Sequence, residues 1–188
     1  MAERVDVLWR CDELASAEHF VLRSDGDGWS LSGDVVLLVG DIPAHVTYRV
    51  GVSRDWRPAE TVIDFHVGGA RDHLEIARLD GHWTVDGTLR PELAGCTDID
   101  LGWTPATNTI PLRRLADTDG EGEVRAAWVN LPDFEIRAVT QTYERVGSHR
   151  WRYSAGRVGY VLEVSDEGLV VSYGEGLWSA ERVVRAGT

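Results

Sequence analysis

The sequence predicts an all-β fold that is mainly antiparallel, with one or two short helical segments. β-Branched residues are abundant, with 23 valines, 12 threonines and 6 isoleucines, and such side chains pack well on a pleated sheet. Apolar and polar residues alternate with a period of two along the whole chain, as is typical of half-buried strands. Because 188 residues correspond to about one domain, we expect residues 1–188 to form a single domain.

The alternation locates five strands most clearly. Residues 45–52 have valine or tyrosine at every even position, and residues 61–67 have threonine, isoleucine, phenylalanine and valine at the odd positions. In 134–142 we assign the phenylalanine, isoleucine, alanine and threonine at even positions to one face, opposite arginine, valine and glutamine. Segments 158–164 and 169–173 repeat the pattern. Each segment has the length of an ordinary strand.

Aspartate–glycine sequences between the apolar runs predict tight hairpin turns. The turns assigned in this way are Asp25-Gly26-Asp27-Gly28, Asp80-Gly81, Asp86-Gly87 and Asp166-Glu167-Gly168. Aspartate and glycine accept the positive φ angles that two-residue hairpin turns require. The chain is therefore expected to fold as a succession of hairpins.

Helical periodicity is weak and is confined to two places. One is Asp12 to Phe20, and the other is the segment around Pro105 to Leu115. In the second segment Thr104 would be the N-cap and Pro105 the first helical residue, positions that both residue types favour. These are the two candidate helices of the predicted fold.

Charge and motif content exclude several functional classes. All 19 basic residues are arginine, against 31 acidic residues, which gives a net charge of −12. Without lysine, Schiff-base and P-loop chemistry are excluded, and an acidic chain is a poor nucleic-acid binder. Asp64-x-His66 and His73-x-Glu75 would permit a metal site across neighbouring strands, but an exposed polar strand face is favoured. We therefore expect no metal, no cofactor and no nucleic-acid partner.

The N-terminal residues, the short apolar runs and the cysteines predict a cytoplasmic protein. The first ten residues contain no apolar signal segment. The longest apolar run, Val35 to Val39, is far shorter than the roughly 20 residues that cross a bilayer. We therefore expect no transmembrane segment. Cys11 and Cys96 form no metal-like pair, and in a cytoplasmic protein they are expected to be free and buried.

Tryptophan is evenly distributed along the chain. The eight tryptophans are at positions 9, 29, 56, 83, 103, 128, 151 and 178. The favoured interpretation is that each hairpin contributes one large aromatic side chain to a common core. The alternative is an aromatic-lined cavity, because β-barrels of this size can hold one small ligand.

Two acidic residues stand out as a candidate chemical site. Asp98 and Asp100 would point to the same face of an extended strand, with Ile99 and Leu101 on the other face. Two close carboxylates can perform general acid–base chemistry, because like charges raise one pKa. The favoured alternative is structural, with hydrogen bonds to the following loop or ion pairs with Arg113 and Arg114.

The segment around these aspartates resembles a known family signature. Residues 96–115 read CTDIDLGWTPATNTIPLRRL. This resembles the bacterial glycolipid-binding family, whose pattern is Cys-x-Asp-x-Asp-Leu-Gly-aromatic-Thr-Pro-x-Thr-Asn-Thr-x-Pro-x-Arg-Arg-Leu. The resemblance extends over nearly the whole chain and includes Trp9, a Gln141-x-Tyr143-x-Arg145 stretch, Tyr173 and Leu177-Trp178. The chain departs from the family at Gly174, where a proline is expected.

The resemblance implies a fold and a ligand class. The fold would be a spiral β-roll, a barrel-like antiparallel sheet wrapped on itself with a short helical element. The ligand would be a lipid or glycolipid, held in an apolar and aromatic-lined cavity. The ligand-binding residues that the motif implies are Asp98, Asp100, Trp103, Thr107, Asn108 and Arg113.

Three functions remain open at this point, in decreasing order of preference. The first is a non-enzymatic binding protein for an amphipathic ligand. The second is a domain that binds another protein through an exposed apolar patch. The third is a hydrolase that uses the Asp98/Asp100 pair with a histidine.

Overall fold

The computed structural model describes residues 4–185, which form one large sheet of fifteen strands. The strands are β1 (Arg4–Cys11), β2 (Ser16–Asp25), β3 (Gly28–Val39), β4 (Ile42–Ser53), β5 (Pro58–Val67), β6 (Ala70–Leu79), β7 (His82–Val85), β8 (Thr88–Leu89), β9 (Asp98–Leu101), β10 (Glu121–Val129), β11 (Ile136–Gly147), β12 (Arg150–Ala155), β13 (Val158–Val164), β14 (Val170–Tyr173) and β15 (Trp178–Arg185). One α-helix, α1 (Thr109–Ala116), and two 3₁₀ turns (Pro91–Leu93 and Ala106–Asn108) complete the described chain. The predicted all-β class is confirmed.

The strand order places the first and last strands side by side. The order is β8-β7-β6-β5-β4-β3-β2-β1-β15-β14-β13-β12-β11-β10-β9, so β1 pairs with both β2 and β15. Neighbouring strands are antiparallel except β9 and β10, which are parallel. Parallel neighbours need a crossover connection, and residues 102–120, which include α1, provide it. The first residues of this crossover line the site described below.

The aspartate–glycine turns occur where the sequence predicts them. All four sequences lie between consecutive antiparallel strands. At Asp80-Gly81 and Asp86-Gly87 both residues have positive φ, between 48° and 81°. This is the geometry of the tight hairpin turn whose twist matches that of the flanking strands.

The two predicted helices have different outcomes. The prediction of a helix from Asp12 to Phe20 is wrong, because residues 12–15 form a turn and β2 begins at Ser16. Pairing of β2 with β1 and β3 along its whole length overrides the weak local periodicity. The second predicted helix is present, but its predicted start is wrong: Pro105 is the N-cap of a 3₁₀ turn over Ala106–Asn108, and α1 begins only at Thr109. The Thr104 hydroxyl accepts a hydrogen bond from the backbone N–H of Ala106 at 3.1 Å, before the turn and outside α1.

Strand alternation correctly predicts burial in β4 and β5 but only partly in β11. The valines and the tyrosine of 46–52 are buried, while His45 and Arg49 are exposed. In β11 Ile136 is buried, but Thr140 is exposed and Gln141 and Tyr143 are buried on the opposite face. Even and odd positions lie on opposite faces of β11 as predicted, but the buried face changes from the even positions at Ile136 to the odd positions at Gln141 and Tyr143.

Most tryptophans belong to the core, as the favoured interpretation predicts. Six of the eight are buried, and Trp29 and Trp128 are half-buried.

Cys11 and Cys96 are also buried. Within residues 4–185 no helix has the length and hydrophobicity needed to cross a membrane.

Candidate functional site

A cavity of about 700 Å³ lies on one face of the sheet formed by β9–β15. Cross-strand register explains why its lining comes from so many strands. Asp100 pairs with Trp128, Gln141 with Ala155, and Tyr173 with Trp178, and directly opposed residues share a face. The crossover segment 101–108 and the β1–β2 turn close the remaining sides. We call this space the main cavity.

The main cavity has an aromatic wall and a polar floor. Its aromatic residues are Trp128, Tyr153, Tyr160, Tyr173 and Trp178. Its polar residues include Asp100, Thr104, Asn108 and Gln141. Exposed side chains such as Glu13, Leu14 and Arg137 surround its mouth. The Arg137 guanidinium lies 4.6 Å from the centre of the Trp128 ring, a cation–π distance.

Asp100 is the one carboxylate in the cavity floor, and its hydrogen-bond partners are uncharged. The Gln141 amide donates to Oδ2 at 2.5 Å, and the Thr107 hydroxyl donates to Oδ1 at 3.1 Å. Burial raises the pKa of Asp100 despite these two hydrogen bonds, and the neighbouring Asp98 carboxylate adds to the rise. The side chain is therefore held in place by donors that do not neutralise its charge.

Three tyrosines extend the aromatic wall from β12 to β14. Tyr153 and Tyr173 have ring centres 6.0 Å apart, and Tyr160 and Tyr173 are 5.0 Å apart. Behind them, the Tyr143 hydroxyl donates to Gln141 at 3.2 Å and accepts from Asn108 at 2.9 Å. Burial raises the pKa of Tyr143, Tyr153 and Tyr173, so these phenols stay neutral.

The six residues that the family motif implies are distributed over three environments. Asp100 and Asn108 line the main cavity, and Thr107 lies against Asp100. Trp103 is 2% exposed and belongs to the core. Asp98 and Arg113 do not line the main cavity.

Asp98 is bound by an arginine rather than facing the cavity. Its carboxylate accepts hydrogen bonds from Arg114 at 2.7 and 2.9 Å and from the Thr97 hydroxyl at 2.7 Å. Asp98 and Asp100 share a strand face, as the alternation predicts. Nevertheless only Asp100 reaches the main cavity, so the two carboxylates do not form a catalytic pair there.

Arg113 lines a second cavity of about 300 Å³ beyond the C-terminal end of α1. Its guanidinium lies 5.1 Å from the centre of the Trp56 ring. Arg145 lines the same cavity, and its guanidinium lies 4.9 Å from the centre of the Trp151 ring. Along β11, Gln141 therefore faces the main cavity and Arg145 the second one. The buried Tyr143 lies between them.

His73, from one of the two predicted histidine–carboxylate patterns, is close to two carboxylates. His73 contacts Asp64 at 2.9 Å and Glu75 at 3.4 Å on an exposed strand face. Among the described residues, no group of three or more histidine, cysteine, aspartate or glutamate side chains is arranged to hold a metal ion.

Sequence reasoning missed most of the aromatic wall. No sequence motif contains Trp128, Tyr153 or Tyr160. Strand register alone brings them together. Gln141 and Tyr173 belong to the stretches that resemble the family, but their place in the cavity is a property of the fold.

Comparison with known proteins decides the family. The family model described as "Putative glycolipid-binding" matches residues 6–179.

The chain belongs to this family. No curated protein matches it. A crystal structure of a DUF1089 family protein from Pseudomonas aeruginosa is 31% identical, with a TM-score of 0.76, and the match covers 87% of this chain and 91% of the other. A β-barrel-like protein of the DUF1849 family from Brucella abortus is 8% identical, with a TM-score of 0.51, and the match covers 100% and 98% of the two chains. The second likeness concerns the fold alone.

Proposed function

We propose that this member of the glycolipid-binding family is a non-enzymatic, cytoplasmic protein that holds an amphipathic lipid or glycolipid in the main cavity. The observation that carries the proposal is a cavity of about 700 Å³ that combines an aromatic wall with a polar floor. Ligand cavities in proteins commonly have volumes of about 300–1,000 Å³ and place a few polar groups among apolar walls.

The apolar part of the lining, which includes Val158, Leu177 and Trp178, supports the binding of an acyl chain. Each methylene group that leaves water contributes about 0.8 kcal/mol. About ten methylene groups would then offset an association cost of several kcal/mol. No catalytic group is required for binding of this kind.

The polar floor supports the binding of a head group at one end of the cavity. Asp100 and Gln141 offer a carboxylate and an amide to the same space. Such groups fix the orientation of a ligand whose remaining surface is apolar. The proposal therefore places the head group near β9 and β11, and the chain along Val158, Leu177 and Trp178.

The hydrolase alternative is not favoured by the arrangement of the aspartates. Asp98 is engaged by Arg114, and the other carboxylate that lines the main cavity, Glu13, is exposed at its mouth. A hydrolase that uses the Asp98/Asp100 pair would need both carboxylates to face the same scissile bond.

Filling the main cavity tests the proposed function. Ala155→Trp places a large side chain in it, and Val161→Trp places the same side chain on the exposed face of β13 as a control. We expect wild type and Val161→Trp to bind a dodecyl-chain probe in titration calorimetry. Ala155→Trp should bind it at least about tenfold more weakly, a change of about 1.4 kcal/mol. Wild type that binds no such probe, or Ala155→Trp that binds it normally, would contradict the proposal.

A further inference from the structure

The charge of Asp100 is uncompensated, in contrast to that of its neighbour. Asp98 and Asp100 lie two residues apart on the same face of β9. Arg114 neutralises Asp98, whereas Asp100 receives hydrogen bonds only from Gln141 and Thr107. Among the described residues, no salt bridge reaches Asp100. Asp100 is half-buried, and a carboxylate partly removed from water without a cationic partner costs the protein free energy.

The wall beside Asp100 has the composition that binds cations. Tyr153, Tyr160 and Tyr173 have successive ring contacts of 5.0 to 6.0 Å and line the same cavity as Asp100. The faces of aromatic rings carry partial negative charge and attract ammonium and guanidinium groups. At the mouth, Trp128 already holds the Arg137 guanidinium in this way. A single ligand in the main cavity could therefore contact both a negative charge and aromatic ring faces.

The other charges near the main cavity lie at its rim. Glu13 and Arg137 are exposed at the mouth, where solvent screens them. The protein as a whole carries a net charge of −12, which attracts cations over long range. Burial raises the pKa of Asp100, so a cation placed beside it would stabilise the ionised form.

We propose that the main cavity selects amphipathic ligands with an ammonium head group, which pairs with Asp100 and packs against Tyr153, Tyr160 and Tyr173. This inference rests on the proposed function and adds the charge of the ligand to it. A quaternary ammonium makes only charge and cation–π contacts, whereas a primary ammonium also donates hydrogen bonds to the carboxylate. Both share the chemistry that the site recognises.

Probes with one chain length and different head groups test the inference on the wild-type protein. Dodecyltrimethylammonium and dodecyl maltoside are titrated below their micelle concentrations by calorimetry. We expect the cationic probe to bind at least about tenfold more tightly than the neutral sugar probe. Choline, which has the head group without the chain, should bind far more weakly than the cationic probe. Choline binding as tightly as the cationic probe would point to a free small cation and would overturn the inference.

Three substitutions locate the effect. Asp100→Asn keeps the shape and the acceptor oxygen, and we expect it to remove most of the preference for the cationic probe over the maltoside. Glu163→Gln, on an exposed face outside the main cavity, should leave the preference intact. Tyr160→Leu provides a second variant should Asp100→Asn fold poorly, and it should weaken the cationic probe more than the maltoside, by roughly threefold or more.

The outcomes separate this inference from the proposed function. Equal wild-type affinities for the two dodecyl probes, both weakened by Ala155→Trp, would overturn the ammonium preference and leave the binding function standing. A wild-type protein that binds neither probe would overturn both. Retention of the preference in Asp100→Asn would also overturn the role of that carboxylate.

Discussion

A single guanidinium nitrogen of Arg114 donates to both carboxylate oxygens of Asp98, at 2.7 and 2.9 Å. The other terminal nitrogen donates to the Trp56 carbonyl at 2.8 Å. This arginine therefore ties α1 both to β9 and to the turn that follows β4. Because the neighbouring residue Asp100 forms part of the main cavity, the ion pair also positions the strand on which the cavity floor is built.

Removing Arg114 is expected to destabilise the fold strongly. The Asp98 side chain is only 2% exposed, and loss of its partner would leave a buried charge without compensation. We expect Arg114→Ala to lower the free energy of unfolding by about 3–5 kcal/mol in urea titrations. Arg152→Ala is the control, since it breaks an exposed pair with Glu144 and should cost less than about 1 kcal/mol. Equal stability losses in the two variants would contradict the structural role of the ion pair.

The buried Glu18 side chain is expected to make the protein less stable as the pH rises towards neutrality. This side chain is fully buried and accepts a hydrogen bond from the Tyr48 hydroxyl. Burial raises the pKa of Glu18 from 4.5 to about 7, although hydrogen bonds from Thr104 and Tyr48 oppose the rise. The folded state thus binds this proton more tightly than the unfolded state does. The contribution of Glu18 to stability is therefore full below about pH 4.5 and is lost as the pH rises to about 7.

The substitution Glu18→Gln isolates this contribution. As the pH rises from about 4.5 to about 7, we expect the free energy of unfolding to fall less in the variant than in the wild type. The difference should be at most about 3 kcal/mol. Thermal or urea unfolding at a series of pH values measures it. Glu163→Gln, on an exposed face, should keep the wild-type profile. Profiles of Glu18→Gln and wild type that run parallel across this range would rule out the linkage.

Gly33 is expected to be intolerant of a side chain. A Cβ atom at this buried position would collide with the Tyr48 ring and with a carboxylate oxygen of Glu18. We expect Gly33→Ala to lower the free energy of unfolding by about 1–3 kcal/mol, because a packed interior resists added atoms. Gly51→Ala serves as the comparison, since its nearest contact would be the Glu60 carbonyl at 3.7 Å. If both variants unfold at the same urea concentration, the close packing around Gly33 is not real.

The two thiols are expected to be unreactive in the folded protein. Cys11 and Cys96 are buried, and burial raises the pKa of both thiols. Since the thiolate is the reactive form, an aromatic disulfide reagent should label them only after unfolding in guanidinium chloride. Titration should then count two thiols per chain. Rapid labelling of either cysteine under native conditions would contradict the packing at that site.

The sequence by itself determined the fold class, the hairpins and the family. Alternation over residues 46–52 predicts the buried face of β4, and the aspartate–glycine pairs predict the turns, because both signals depend on neighbours in the chain. The motif of residues 96–115 identifies the family for a similar reason, since its residues are consecutive. Local information was sufficient for these features.

Only the tertiary structure decided which residues meet. The main cavity takes its lining from residues as distant as Glu13 and Trp178, and strand order and register bring them together. The same long-range contacts give Asp98 an arginine and leave Asp100 without one, although the two are near neighbours in sequence. They also turn the weak helical pattern after Asp12 into β2. The physical reason is that burial and charge compensation depend on side chains supplied by other elements of the fold, which no local pattern encodes.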